Sequence, residues 1–202
     1  MSFEERSKAA KEFQDKLFAD LQAMGFNVAL NGTEHTHPAF VSELHRSEDQ
    51  TSMAIRYAPD GVACIGKIPR SFYVEAKFAR TIERNAWIQY GKLVEAGNIL
   101  VIVFGWENNT VFNFYENIKL IPGEISGLRY PAESRYPVED GWIYPRKSKL
   151  WDNSKSPKAS GTPYKEVDLN SLIPFSEFYK EIVNRLRVEQ CPSMTSKRHF
   201  LQ

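Results

Sequence analysis

Residues 58–77 read APDGVACIGKIPRSFYVEAK. Two short apolar runs, Gly61 to Ile65 and Ser71 to Phe78, flank the segment Gly66-Lys67-Ile68-Pro69. Runs rich in β-branched and aromatic residues on either side of a Gly/Pro-containing gap predict a β-hairpin. A turn centred between Lys67 and Ile68 sets Asp60 opposite Glu75. Strand alternation then sends Phe72, Val74, Ala76 and Phe78 to one face, and Tyr73, Glu75 and Lys77 to the other. Two carboxylates and an amine converge at one end of the hairpin.

That grouping needs a physical reason, because neighbouring carboxylates repel and a lysine is costly to bury. A hard divalent cation supplies one. Magnesium takes oxygen ligands, commonly one or two carboxylates with waters and a substrate phosphate. A lysine beside it can steer an attacking water and offset charge developing on a phosphate.

Pro59-Asp60, fourteen intervening residues and then Glu75-Ala76-Lys77 resemble the signature of the PD-(D/E)XK nuclease superfamily. No other acidic-x-Lys triplet occurs in the chain. The resemblance spans residues 5 to 115 and implies a restriction-endonuclease-like fold, an α/β core with a mixed central sheet flanked by helices. It further implies that Asp60, Glu75 and the carbonyl of Ala76 hold Mg2+, with Mn2+ able to substitute. Lys77 would orient or activate the nucleophile, and a metal-bound water would hydrolyse a phosphodiester in nucleic acid, DNA being the expected substrate. A non-cleaving nucleic-acid-binding or protein-interaction module with the same fold is the alternative. An inhibitor-type protein of unrelated fold, with a coincidental hairpin, is a further one.

The flanking segments extend the likeness. Ile82, Ala86, Tyr90, Leu93 and Gly97 recur at helical steps and predict a helix over Thr81–Gly97, with Glu83 in its first turn. Gln89 falls on or beside the apolar face and resembles the glutamine of the RecB-like branch, while Leu93 stands where that branch carries tyrosine. Ahead of the hairpin, Ala10, Phe13, Leu17, Leu21 and Met24 mark an amphipathic helix over residues 4–24, ended by Gly25. Superfamily members carry an acidic residue on such a helix, and Glu12, or else Glu5, could fill that place. Glu5, Lys8, Glu12 and Lys16 also have the spacing of an ordinary solvated face.

Elsewhere the chain offers a strand at Phe26–Leu30, a polar loop holding His35 and His37 with His45 beyond it, and a strand at Ser52–Tyr57. The histidines lack a cysteine pair or matching third histidine for zinc. Asn98–Phe104, NILVIVF, is the most apolar run and predicts a strand buried on both faces, followed by a strand at Val111–Tyr115. Residues 1–115 therefore read as the core and 116–173 as an irregular elaboration carrying Pro122, Pro131, Pro137 and Pro145. Within it Arg146, Lys147, Lys149, Lys155, Lys158 and Lys165 are interleaved with Trp142, Tyr144, Trp151 and Tyr164, a pattern suited to nucleic acid. Residues 174–202 hold a closing helix, Pro174–Glu189, with Phe175, Phe178, Ile182 and Leu186 on one stripe, and a polar tail.

The net charge of +1 argues against a wholly basic nucleic-acid coat. Cys64 and Cys191 are the only cysteines, and Cys64 reads as a small buried hydrophobe. No signal peptide or membrane span is evident, so a soluble, cytoplasmic protein is expected, with a homodimer if both strands of a duplex are cut.

Overall fold

The computed structural model describes residues 3–31, 49–66, 68–106, 109–125, 128–129, 138–144 and 163–188. Helix α1 (Phe3–Ala23) leads into β1 (Phe26–Leu30), and α2 (Gln50–Arg56) precedes the hairpin strands β2 (Gly61–Ile65) and β3 (Ser71–Lys77). Next come β4 (Thr81–Glu83), α3 (Arg84–Glu95), β5 (Leu100–Trp106) and β6 (Asn109–Phe114). Short strands β7 (Leu120–Ile121), β8 (Glu124–Ile125), β9 (Leu128–Arg129), β10 (Val138–Glu139), β11 (Trp142–Ile143), β12 (Tyr164–Val167) and β13 (Ile173–Pro174) follow, and α4 (Phe178–Val188) closes the described chain.

The main sheet runs β1-β2-β3-β5-β6-β13. β3 and β5 pair in parallel, and the other neighbours pair antiparallel. A parallel neighbour needs a crossover, and α3 provides it. Helix, antiparallel strands, acidic hairpin, helix and buried strand follow one another as a mixed α/β core with a central mixed sheet flanked by helices.

Both faces of this sheet are covered, so β5 can be apolar throughout. Val101 and Val103 lie in a core shared with Leu17, Phe18 and Leu21 of α1 and Phe178, Ile182 and Leu186 of α4. Leu100, Ile102 and Phe104 lie in a second core with Ala86 and Tyr90 of α3 and Trp142 and Val167 of the smaller sheet. In the first core, Phe26 meets Phe72 and Phe178 edge-on at 5.6 and 5.9 Å. α1 ends where Gly25 takes φ +93°, a left-handed value glycine adopts without strain.

Several elements differ from the sequence reading, each for a local reason. Residues 50–56 are helical rather than extended, because Asp49 caps the helix by accepting a hydrogen bond from Ser52 N–H at 2.9 Å. Met53 and Tyr57, four apart, both pack into the second core. The helix expected from Thr81 begins at Arg84, since Thr81–Glu83 pairs with β12. Ile173–Pro174 pairs with β6 and Phe175–Glu177 forms a 3-10 turn, so the closing helix begins only at Phe178. Ala10 is exposed and Gln14 buried, which turns the apolar stripe of α1 toward Phe13, Leu17, Phe18 and Leu21. Cys64 is only half-buried, since the inward positions of β2 are Gly61, Ala63 and Ile65. Within 116–173 the described chain is not wholly irregular: β10, β11 and β12 form a second sheet that continues into β4.

Close packing makes two sites sensitive. A Cβ added to Gly105 would collide with the Phe13 ring, which itself packs 5.9 Å from Phe78. Gly105→Ala is therefore expected to cost about 1–3 kcal/mol, read from urea unfolding, with Phe13→Leu recovering part of the loss. Tyr115 stacks on Trp87 with ring centroids 4.2 Å apart and donates to the Trp87 carbonyl at 3.1 Å, fastening α3. Burial, reinforced by the charge of Glu95, raises its phenol from 10.0 to about 12. A group whose folded pKa is raised contributes stability that is complete below its unfolded pKa and lost as pH climbs through the folded value. Stability should thus fall between pH 10 and about 12, and less steeply in Tyr115→Phe, as chemical denaturation across that range would record.

Candidate active site

The hairpin register is the foundation of the site. Gly61 faces Val74 and Ala63 faces Phe72, and continuing that register puts Asp60 opposite Glu75. The two residues are locked together reciprocally. Asp60 N–H donates to Glu75 Oε2 at 3.2 Å, and Ala76 N–H donates to Asp60 Oδ2 at 2.7 Å. The Lys77 ammonium lies 2.5 Å from Glu75 Oε1. Glu75 is only 4% exposed, so its carboxylate needs these donors.

Residues outside the expected set complete the framework. Tyr90, 2% exposed on α3, supplies a further hydrogen bond to the Glu75 side chain. Burial and then the charge of Glu75 hold its phenol well above the ordinary tyrosine range. Asn31, just past β1, clamps the Pro59–Asp60 corner: its N–H donates to the Asp60 carbonyl at 2.8 Å and its Nδ2 to the Pro59 carbonyl at 3.1 Å. Glu83, which precedes α3, lies close enough for its charge to act on both Lys77 and Tyr90. Tyr90 was legible only as an apolar-face residue of its helix, and Asn31 only as a loop residue.

Burial alone would lower the pKa of Lys77, but the charges of Glu75 and Asp60 and the bond to Glu75 outweigh it and raise the value. Lys77 is therefore an ammonium across the physiological range. Gln89 is half-buried beside Tyr90 and forms no hydrogen bond with a described residue. Glu12 is not gathered with the carboxylate pair; it stands on the exposed face of α1, 3.8 Å from Lys8. Glu5 is likewise exposed. Arg146, Lys147, Lys149, Lys155 and Lys158, with His35, His37 and His45, lie outside the described residues.

Asp60 and Glu75 offer carboxylate oxygens of the kind a hard divalent cation takes, although among the described residues no three His, Cys, Asp or Glu side chains are grouped as a metal cage. A carboxylate has about four acceptor positions, and three donors reach Glu75, so room for a further partner remains. The Ala76 carbonyl points toward the β2 side, as the donation of Ala76 N–H to Asp60 shows. There the register faces it with Pro59, which has no N–H to give.

Removing the Tyr90 hydroxyl deprives a buried carboxylate of one donor. Tyr90→Phe is expected to destabilise the protein by about 1.5–3 kcal/mol, measured by urea unfolding at neutral pH. An unchanged midpoint would show that the hydroxyl does not support Glu75.

No family model matches this chain, and no curated protein matches it. Nothing in those comparisons supports the RecB-like branch. Among solved structures, a similar one is Archaeoglobus fulgidus Hjc, a Holliday junction resolvase from an archaeal hyperthermophile. It shares 13% identity with this chain at a TM-score of 0.36, over 55% of this chain and 76% of that one. Similarity at that level speaks to neither activity nor substrate.

Proposed function

We propose that this chain is a divalent-metal-dependent nuclease that hydrolyses phosphodiester bonds, with DNA as its substrate. The supporting observation is a buried carboxylate, Glu75, joined to Asp60 through the hairpin backbone and to Lys77 at 2.5 Å. A solvated hairpin edge would not bury Glu75 to 4% exposure or surround it with three donors.

Asp60, Glu75 and the Ala76 carbonyl are the residues that would hold Mg2+ or Mn2+, which supplies Lewis-acid activation of water and compensates phosphate charge. In the hydrolysis, water oxygen bonds to phosphorus while a bridging P–O bond breaks, leaving a phosphate monoester and a free hydroxyl. Lys77 acts as a donor rather than a base: its ammonium orients the nucleophile and stabilises charge on the non-bridging oxygens. Tyr90 and the Asp60 N–H hold Glu75 so that its remaining acceptor position keeps one direction. Gln89, on the same helix as Tyr90 and without a described partner, is assigned to the scissile strand.

The test is cleavage of supercoiled plasmid and of a labelled single strand, with magnesium, with EDTA, and with Lys77→Ala. Cutting should require the metal and fall about 10²–10³-fold in the variant. Cutting that persists in both EDTA and Lys77→Ala would contradict this assignment of the site.

A further inference from the structure

Arg84 and Lys165 are brought together on one face of the smaller sheet, with Asp140 near enough for its charge to act on Lys165. The pairing of β12 with β4 sets Tyr164 opposite Glu83 and Lys165 opposite Ile82. Continuing that register by one residue faces Arg84 with Pro163, whose carbonyl accepts the Arg84 N–H at 2.9 Å. On the other side Ile143 faces Tyr164, which aligns Trp142 with Lys165 and Tyr144 with Pro163. Arg84 and Lys165 are thus diagonal neighbours two residues apart on one face, a separation that long side chains bridge.

Both side chains are held in place by aromatic groups. Arg84 Nη1 donates to the Tyr144 hydroxyl at 3.2 Å, and Lys165 Nζ sits 4.6 Å from the centroid of the Trp142 ring. Neither forms an ion pair with a described carboxylate. Arg80 shows the contrast, since Glu166 stands 3.6 Å from it. Burial lowers the pKa of Lys165; the charge of Asp140 opposes that, and the smaller effect of the Arg84 charge adds to the lowering. The face thus presents two cations, each held against an aromatic side chain, that a single anion could bridge.

The pair also borders the candidate active site. Arg84 follows Glu83 directly, and the charge of Glu83 reaches both Lys77 and Tyr90. From this juxtaposition we infer that Arg84 and Lys165 form a phosphate seat that grips the nucleic-acid backbone beside the scissile position. The inference rests on the nuclease reading and adds the residues that dock the strand. Guanidinium and ammonium, each anchored on an aromatic side chain, recognise backbone phosphate without reading base sequence.

The experiment measures binding of labelled duplex DNA and duplex RNA of equal length to the full chain in EDTA, over a range of salt concentrations. Arg84→Gln and Lys165→Gln should each reduce the slope of log Kd against log salt by about 0.9. Both should leave the melting temperature in place, and Arg84→Lys should restore most of the slope. The arm in which the slope falls identifies the backbone the seat accommodates. If wild type binds and the double variant keeps the wild-type slope, the seat is refuted while the nuclease reading stands. If wild type binds neither duplex at low salt, both fall together.

Discussion

A carboxylate buried in a β-sheet constrains every element that supplies it with a hydrogen bond. Glu75 draws on the Asp60 N–H before β2, on Lys77 two residues along its own strand, and on Tyr90 of α3. Those donors fix three relationships at once. The hairpin cannot slip by one residue without sending Glu75 and Lys77 to the face occupied by α1 and α4. α3 cannot rotate on the sheet without withdrawing Tyr90. Losing a partner from a buried charge costs several kcal/mol, which makes the arrangement rigid enough for chemistry that depends on orientation.

The site lies where the ladder between β2 and β3 stops. β3 continues past Val74 with β5 on one side, while on the other side the Asp60 side chain takes the place of a strand partner. The Ala76 N–H there donates to the Asp60 carboxylate instead of to a strand partner. Gly61 permits the approach: a Cβ there would meet Phe18 of α1 at 2.8 Å and the Ala29 carbonyl at 3.1 Å. The glycine next to Asp60 thus lets α1 and β1 pack closely at this corner. Asn31 fastens this corner from the edge strand, so the position of one carboxylate depends on β1 as well as on the hairpin.

How much of this was legible follows from how local each determinant is. The hairpin register, the face shared by Glu75 and Lys77, and the doubly buried β5 depend on alternation within a few residues, and the observed register agrees with that reading. Residues 50–56 misled because their apolar positions suit a short strand as well as a helix, and the decisive cue was the Asp49 cap just outside them. Thr81–Glu83 had helical periodicity but is claimed by β12, more than eighty residues later. Local propensity yields there to a tertiary partner.

The same distinction separates the carboxylates from their supports. Asp60 and Glu75 lie across a tight turn, so a short sequence span contains their meeting. Tyr90 meets Glu75 only because the parallel pairing of β3 and β5 lays α3 over that face with one particular rotation. Side chains at helical spacing display an apolar face without saying which of them will lie above a charge. Tyr90 satisfies both demands, since its ring lies in the second core with Ala86 and Ile102 while its hydroxyl bonds Glu75. Phenylalanine in its place would pack comparably and leave Glu75 one donor short, so the tyrosine is required by the buried carboxylate and not by the core.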